Sequence, residues 1–251
     1  MGRWLERKTD VNVVVTENYE EMSAAAANVI AEQLKAKPDS VLGLATGTTP
    51  IGLYAELVRA CDAGEISFAN AQSFNLDEYR GLPGTHDQSY RYFMQDNLFD
   101  HVDIDVEKTH VPDGSMVDAQ AACDAYEQAI AQAGGVDLQL LGLGRNGHIG
   151  FNEPADVFER ETHCVNLTES TIEANKRFFE SEADVPRQAY TMGIGSIMLA
   201  KKILVVVSGE DKADALKAMI SGPITPKVPA SILQLHSDVT VVADEAAMSK
   251  L

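Results

Sequence analysis

VLGLATGTTPIGLYAELVRACDAG, from Val41 to Gly64, decides the fold class. It opens on a short apolar run, Val41–Ala45, turns through Thr46-Gly47-Thr48-Thr49, and continues with apolar residues at helical spacing. The spacing predicts a helix over Pro50–Ala63. Pro50 falls in the first turn, where its missing N–H is not needed, and Gly64 is a stop signal. A strand feeding a helix through a tight turn is half of a βαβ unit. The same alternation recurs on both sides of this stretch. Further strands are expected at Val11–Val15, Ser73–Leu76, Leu138–Leu143, Ala189–Met192, Leu204–Val207 and Val239–Ala243. Further helices are expected at Tyr19–Ala36, Ser89–Leu98, Val117–Ala133, Ser170–Phe179, Lys212–Ile220 and Ser231–Leu235. Short apolar strands alternating with helices specify an α/β fold with a mostly parallel sheet. Ligands of such sheets bind beyond the carboxyl ends of the strands, so the chemistry is expected there.

The 251 residues are read as one domain, 1–251, because no linker, repeat or low-complexity segment interrupts them. The polar, irregular stretch Asn152–Arg187, with Pro154 and Pro186 near its ends, is expected to be a lid or a long excursion over the site. Thirty-eight acidic against 20 basic residues give a formal charge of −18. Nucleic acid and anionic membranes are repelled by such a chain and are excluded as partners. An anionic small molecule would have to be held by a few local cations and oriented backbone N–H groups. Cys61, Cys123 and Cys164 have no CxxC spacing, so neither a disulfide framework nor a zinc site is expected, and the compartment is read as reducing and cytoplasmic. Met1–Asp10 is polar and unlike a signal peptide, and the longest apolar runs, such as Ile203–Val207, are too short to span a membrane.

Five constellations could carry chemistry. In Ala45-Thr46-Gly47-Thr48-Thr49-Pro50, N–H groups at a helix start can cradle an anion; the same residues could be an ordinary turn with a threonine cap. Ser208-Gly209-Glu210-Asp211-Lys212 is a second strand-to-helix junction. A lysine there opposes the helix dipole and needs an anion, either a ligand or its neighbours Glu210 and Asp211. Gly142-Leu143-Gly144-Arg145-Asn146-Gly147 reads G-x-G-x-x-G. The next residues, His148-Ile149-Gly150-Phe151-Asn152-Glu153-Pro154, cannot open the helix a dinucleotide site requires. Those glycines are better read as shaping a loop that presents His148 and Glu153 together. Phe74-Asn75-Leu76-Asp77-Glu78-Tyr79 puts two carboxylates at a strand end, and alternation lets only one face a site, where it could serve as a general base. Ala174-Asn175-Lys176-Arg177-Phe178-Phe179 is an anion clamp on a lid or an amphipathic helix. The other histidines, His86, His101, His110, His163 and His236, lack metal-ligand spacing.

Leu44–Tyr54, Ser73–Leu82, Gln88–Met94, Leu141–Pro154, Ala174–Phe179 and Ser231–His236, in this order, resemble the glucosamine-6-phosphate deaminase family; NLDEY with NGHIGFNEP is the most specific pair. The resemblance covers about Val11 to Ala243. It implies a three-layer α/β/α sandwich of modified Rossmann type. It also implies an amino-sugar-phosphate deaminase and isomerase, a hydrolase by class, acting in amino-sugar catabolism without metal or organic cofactor. By the same resemblance, Thr46, Gly47, Thr48, Arg177 and Lys212 would hold the substrate phosphate. His148, oriented by Glu153 and Asn146, would open the sugar ring, and Asp77 would be the general base at C2.

The chain departs from some family members in two places. Where they have Asp, it has Asn146, which cannot raise the pKa of His148. Where allosteric members carry a basic pair and a longer C-terminus, it has His163 and Val165 and ends at Leu251, so no activation by N-acetylglucosamine 6-phosphate is expected. A monomer or small homo-oligomer is expected with it. The related 6-phosphogluconolactonases share the phosphate and histidine loops but usually show a Trp-containing motif where this chain has Ser73-Phe74-Asn75-Leu76. Sugar-phosphate sensors of related fold carry a DNA-binding module, for which an acidic chain with about ten residues before its first strand has no room.

Overall fold

A computed structural model describes residues 11–176, 179 and 181–251. Seven strands build the main sheet: β1 (Val11–Thr16), β2 (Val41–Leu44), β3 (Gln72–Asn75), β5 (Thr109–His110), β6 (Leu138–Gly142), β9 (Lys202–Val207) and β10 (Val239–Asp244). All run parallel, in the order β1-β10-β9-β6-β2-β3-β5. Helices flank this sheet: α1 (Tyr19–Ala36), α2 (Ile51–Asp62), α3 (Tyr90–Asn97), α4 (Ala119–Gln132), α6 (Ile194–Met198) and α7 (Ala213–Ser221), while α5 (Glu169–Asn175) packs Ile172 in a separate cluster with Tyr79 and Ala189. The fold is the α/β class expected from the alternation of apolar runs. Ile203–Val207 and Val241–Ala243 are almost wholly buried, which is why they read as continuous apolar runs.

After β2 the chain moves to β3 and β5 on one side, then returns to lay β6 against the other side of β2. The carboxyl ends of β2 and β6 therefore diverge at a topological switch point, the place where an open sheet leaves a crevice.

Three expectations are corrected. Ala189–Met192 does not join the parallel sheet. As β8 (Gln188–Thr191) it is the middle of a separate antiparallel sheet with β4 (Asp77–Tyr79) and β7 (His163–Asn166). A strand covered on both faces reads as the same apolar run in either sheet, so composition could not tell them apart. The stretch 152–187 is less irregular than its composition suggested, since it holds β7 and α5. Ser231–Leu235 lies in a 3-10 helix, Pro229–Leu235, rather than an α-helix. Leu76 joins the two sheets: its N–H donates to Leu44 O of β2 at 3.0 Å, and its carbonyl accepts from Met192 N at 2.7 Å.

Helix starts are treated unequally. Asn18, Ser89, Asp118 and Thr168 each accept a backbone N–H at the start of α1, α3, α4 and α5. The first N–H groups of α6 go to the carbonyls of Glu159 and Arg160. The start of α2 has no side-chain cap.

Candidate active site

A cleft of about 540 Å³ opens at the switch point. Six segments wall it: the β2–α2 turn, the β3–β4 bend, the loop after β6, Lys212 at the start of α7, Tyr90 of α3, and Thr168 with Thr171 at the start of α5. The first three readings of the sequence thus converge on one cavity with the fourth, and its residues Thr46, Gly47, Thr48, Asp77, Asn146, His148, Glu153 and Lys212 all line it. Arg177, the remaining expected site residue, lies outside the described residues.

The β2–α2 turn is an open cradle. Gly47 takes a φ of 105°, which a side chain would strain, and swings the chain from strand to helix. The N–H groups of Thr46, Gly47, Thr48 and Thr49 find no acceptor among the described residues. The threonine cap considered as an alternative does not form. Tyr19 braces the turn from α1: its hydroxyl donates toward Thr49 O at 3.1 Å and accepts from Gly52 N at 2.8 Å. Unpartnered donors at a helix start, with the helix dipole behind them, favour an anion.

Across the cleft, Lys212 is half-buried. Burial holds its ammonium below the usual lysine range; Asp211 pulls the other way and Arg145 adds repulsion. The alternative that Glu210 and Asp211 neutralise Lys212 is met only in part, through the Asp211 charge. The Asp211 carboxylate accepts from Arg145 Nε at 2.6 Å, and Lys212 has no carboxylate within 4.0 Å among the described residues.

The loop after β6 does not begin a helix. Gly144 and Gly147 close a turn instead, with Gly147 N donating to Gly144 O at 2.9 Å and Gly144 N to His148 O at 2.9 Å. A Cβ at Gly144 would lie 2.4 Å from the His148 ring, so glycine there is what makes room for the imidazole. His148 Nδ1 lies 2.8 Å from Asn146 Oδ1 and 3.2 Å from Glu153 Oε1. Asn146 Nδ2 donates to Glu153 Oε2 at 2.6 Å, which fixes the amide with its oxygen toward the histidine. Both neighbours of Nδ1 are acceptors, so Nδ1 carries the proton and Nε2 is the free nitrogen. The hydrogen bond from His148 lowers the Glu153 pKa against partial burial. Glu153 therefore supplies, at 3.2 Å, the negative charge that Asn146 lacks.

The two adjacent carboxylates separate as alternation requires. Glu78 turns toward α3: it accepts from Tyr79 N and Tyr90 N at 2.8 and 2.9 Å through one oxygen, and from Arg91 N at 2.9 Å through the other. Burial pushes it up to about 7 while those donors hold it down. Asp77 faces the cleft and is 7 % exposed. Burial, and then the Glu78 charge, raise its carboxyl to about 8. Tyr90 lines the cleft beside Asp77, stacked on Phe151 with ring planes 5° apart and its hydroxyl 3.2 Å from that of Tyr79.

Thr49 lines the cleft with the turn already read as an anion cradle, whereas Arg145, Tyr90, Thr168 and Thr171 were missed as lining residues. Arg145 and Tyr90 stood inside stretches already singled out, but nothing local marks them as facing inward. His236 is structural: Nε2 bonds Ala200 O at 2.8 Å, and Nδ1 accepts from Asp238 N at 3.1 Å. Among the described residues no cluster of His, Cys, Asp or Glu could hold a metal, and no helix is long and apolar enough to cross a membrane.

Sheet and cleft together are those of an open α/β enzyme with a crevice suited to an anionic ligand. The family described as glucosamine-6-phosphate isomerases/6-phosphogluconolactonase matches residues 16–242. Within it, the chain belongs to the glucosamine-6-phosphate deaminase family. It is 56% identical over 241 residues to the glucosamine-6-phosphate deaminase of Clostridium perfringens (strain 13 / Type A), covering 96% of this chain and 100% of the relative. It is 54% identical over 239 residues to that of Thermoanaerobacter sp. (strain X514), covering 95% and 94%. A solved monomeric glucosamine-6-phosphate deaminase superposes with a TM-score of 0.91 at 46% identity, over 96% of this chain and 100% of that one. The 6-phosphogluconolactonase of Trypanosoma brucei shares the fold alone, with a TM-score of 0.73 at 20% identity.

Proposed function

We propose that this chain converts glucosamine 6-phosphate and water into fructose 6-phosphate and ammonia. The observation that carries the reading is a buried, cleft-facing carboxylate, Asp77, in the same cavity as a histidine whose tautomer is set by Asn146 and Glu153.

The phosphate sits in the cradle of Thr46, Gly47 and Thr48 with Lys212 and Arg177. His148 Nε2 takes the proton of the anomeric hydroxyl and returns one to the ring oxygen as the C1–O5 bond breaks. The imidazolium that forms on the way is stabilised by Glu153. Asp77 then removes the proton at C2 of the open-chain aldehyde and delivers it to C1. The electron pair left at C2 shifts onto the C1 carbonyl oxygen, which takes a proton from the 2-ammonium group to give the enolamine; protonation at C1 then draws the nitrogen lone pair into a protonated C2=N ketimine. Water adds to C2, the C2–N bond breaks, and ammonia departs as the C2 carbonyl forms. Each acid–base step is worth on the order of 10²–10⁴-fold in rate. The phosphate grip supplies orientation through remote binding energy. The excursion 152–187 acts as the lid, a role supported by Thr168 and Thr171 lining the cleft.

The test is to incubate purified, EDTA-treated protein with glucosamine 6-phosphate and measure both products. Ammonia and fructose 6-phosphate should appear in equal amounts. No ammonia, with hydrolysis of 6-phosphogluconolactone instead, would overturn the reading.

Asp77 imposes a pH dependence. Its carboxyl is raised to about 8, and only the ionised form is a base. The kcat/KM of the free enzyme should therefore decline as the pH drops through about 8. An acid limb near pH 4, the range of an ordinary exposed carboxyl, would remove Asp77 as the desolvated base.

A further inference from the structure

We infer that Arg145 is a further ligand of the substrate phosphate, held at the rim of the cleft by Asp211 until the phosphate arrives. This rests on the function proposed above. A guanidinium has five N–H donors in a planar fork, and Asp211 uses the Nε end. Among the described residues the terminal nitrogens have no acceptor, and they remain for a second one. The Arg145 side chain is 77% exposed and lines the same cleft as the open N–H groups of Thr46–Thr49 and as Lys212.

The placement is unfavourable without an anion. In a chain of net charge −18, Arg145 and Lys212 border one cavity, and the Asp211 charge acts on both. Their mutual repulsion contributes to the lowered pKa of Lys212, behind burial. A phosphate dianion relieves that repulsion and accepts from both. The Arg145–Asp211 pair is too exposed to compete strongly, since water and salt screen surface pairs. Asp211 therefore orients the guanidinium without retaining it. Arg145 also precedes Asn146 and His148 in one tight loop, so the phosphate end of the ligand is gripped by the segment that carries the histidine.

The probe is inorganic phosphate, measured by direct titration and as a competitive inhibitor. In Arg145→Ala, the phosphate dissociation constant and the KM for glucosamine 6-phosphate should rise together by about tenfold, the loss of one charge-assisted contact. The kcat should change far less. In Asp211→Asn, phosphate should bind more tightly, because a competing carboxylate has gone. Unchanged phosphate binding in Arg145→Ala would overturn the inference. So would equal weakening in both variants, the mark of a pair that only braces the loop. Titration with phosphate needs no turnover. A protein that releases no ammonia would thus fail the proposed reaction and still report on Arg145.

Discussion

Asp77→Asn is expected to lower kcat by on the order of 10²–10⁴-fold and, in the same protein, to raise the melting temperature. The first effect comes from removing the cleft-facing carboxylate placed to carry a proton between adjacent carbons. Exchange of the C2 proton with solvent should disappear along with turnover, while phosphate binding persists. The second effect comes from burial. The carboxyl is raised to about 8 in the folded protein, mainly by burial and secondly by the Glu78 charge, whereas an unfolded aspartate ionises near 3.8. Between those values the folded state holds a proton that the unfolded state has released, so the wild type loses stability as pH rises across that window. Asparagine has no such slope. The stability gap should widen by up to roughly 1.4 kcal/mol per pH unit and level off above about pH 8. Thermal melts of both proteins from pH 5 to 9 would check this. Parallel curves would mean that Asp77 ionises at its ordinary value.

Gly114→Ala should cost about 3 kcal/mol or more, as overpacking against backbone does, and lower the melting temperature by roughly 10 °C in a chain of this size. A Cβ at Gly114 would stand 2.2 Å from Tyr79 O, 2.9 Å from Leu82 O and 3.2 Å from Glu78 Cγ. Two of those neighbours are backbone atoms, which cannot rotate away. The loop is also tied there, since Gly81 N donates to Gly114 O at 2.7 Å. Relief must come from moving β4, the strand that bears Asp77. The kcat should therefore fall more than the KM rises, although Gly114 does not line the cleft. A wild-type melting curve would show that the loop can lift off β4 freely.

Most of the large sheet was legible because its strands are buried runs separated by helix-length segments. The helix starts were legible only to within a residue or two: the expected helices open at Val117 and Ser170, whereas Asp118 and Thr168 are the caps. The small sheet was not. β4 is three residues long and β7 is half-exposed without alternation, so neither offers a period to detect. At the site, alternation predicted that only one of Asp77 and Glu78 could face inward. Which one was decided by α3, whose free N–H groups capture Glu78. The pairing of Asp211 with Arg145 spans 66 positions, and no local pattern announces it. The G-x-G-x-x-G stretch shows the reverse: its unsuitability as a helix start was visible directly, in the glycine and proline just beyond it.

Leu76 gives the molecule a division of labour. Its N–H is fastened to β2, which ends in the anion cradle, and its carbonyl to the chain leaving β8, whose sheet bears Asp77. The turn proposed as an anion cradle and the Asp77 carboxylate are thus carried by different sheets that are fastened together at Leu76. Substitutions within the small sheet can retune the reacting group while the large sheet keeps its hold on an anion. An architecture so partitioned is suited to diversification, since the handle need not be reinvented each time the tool is changed.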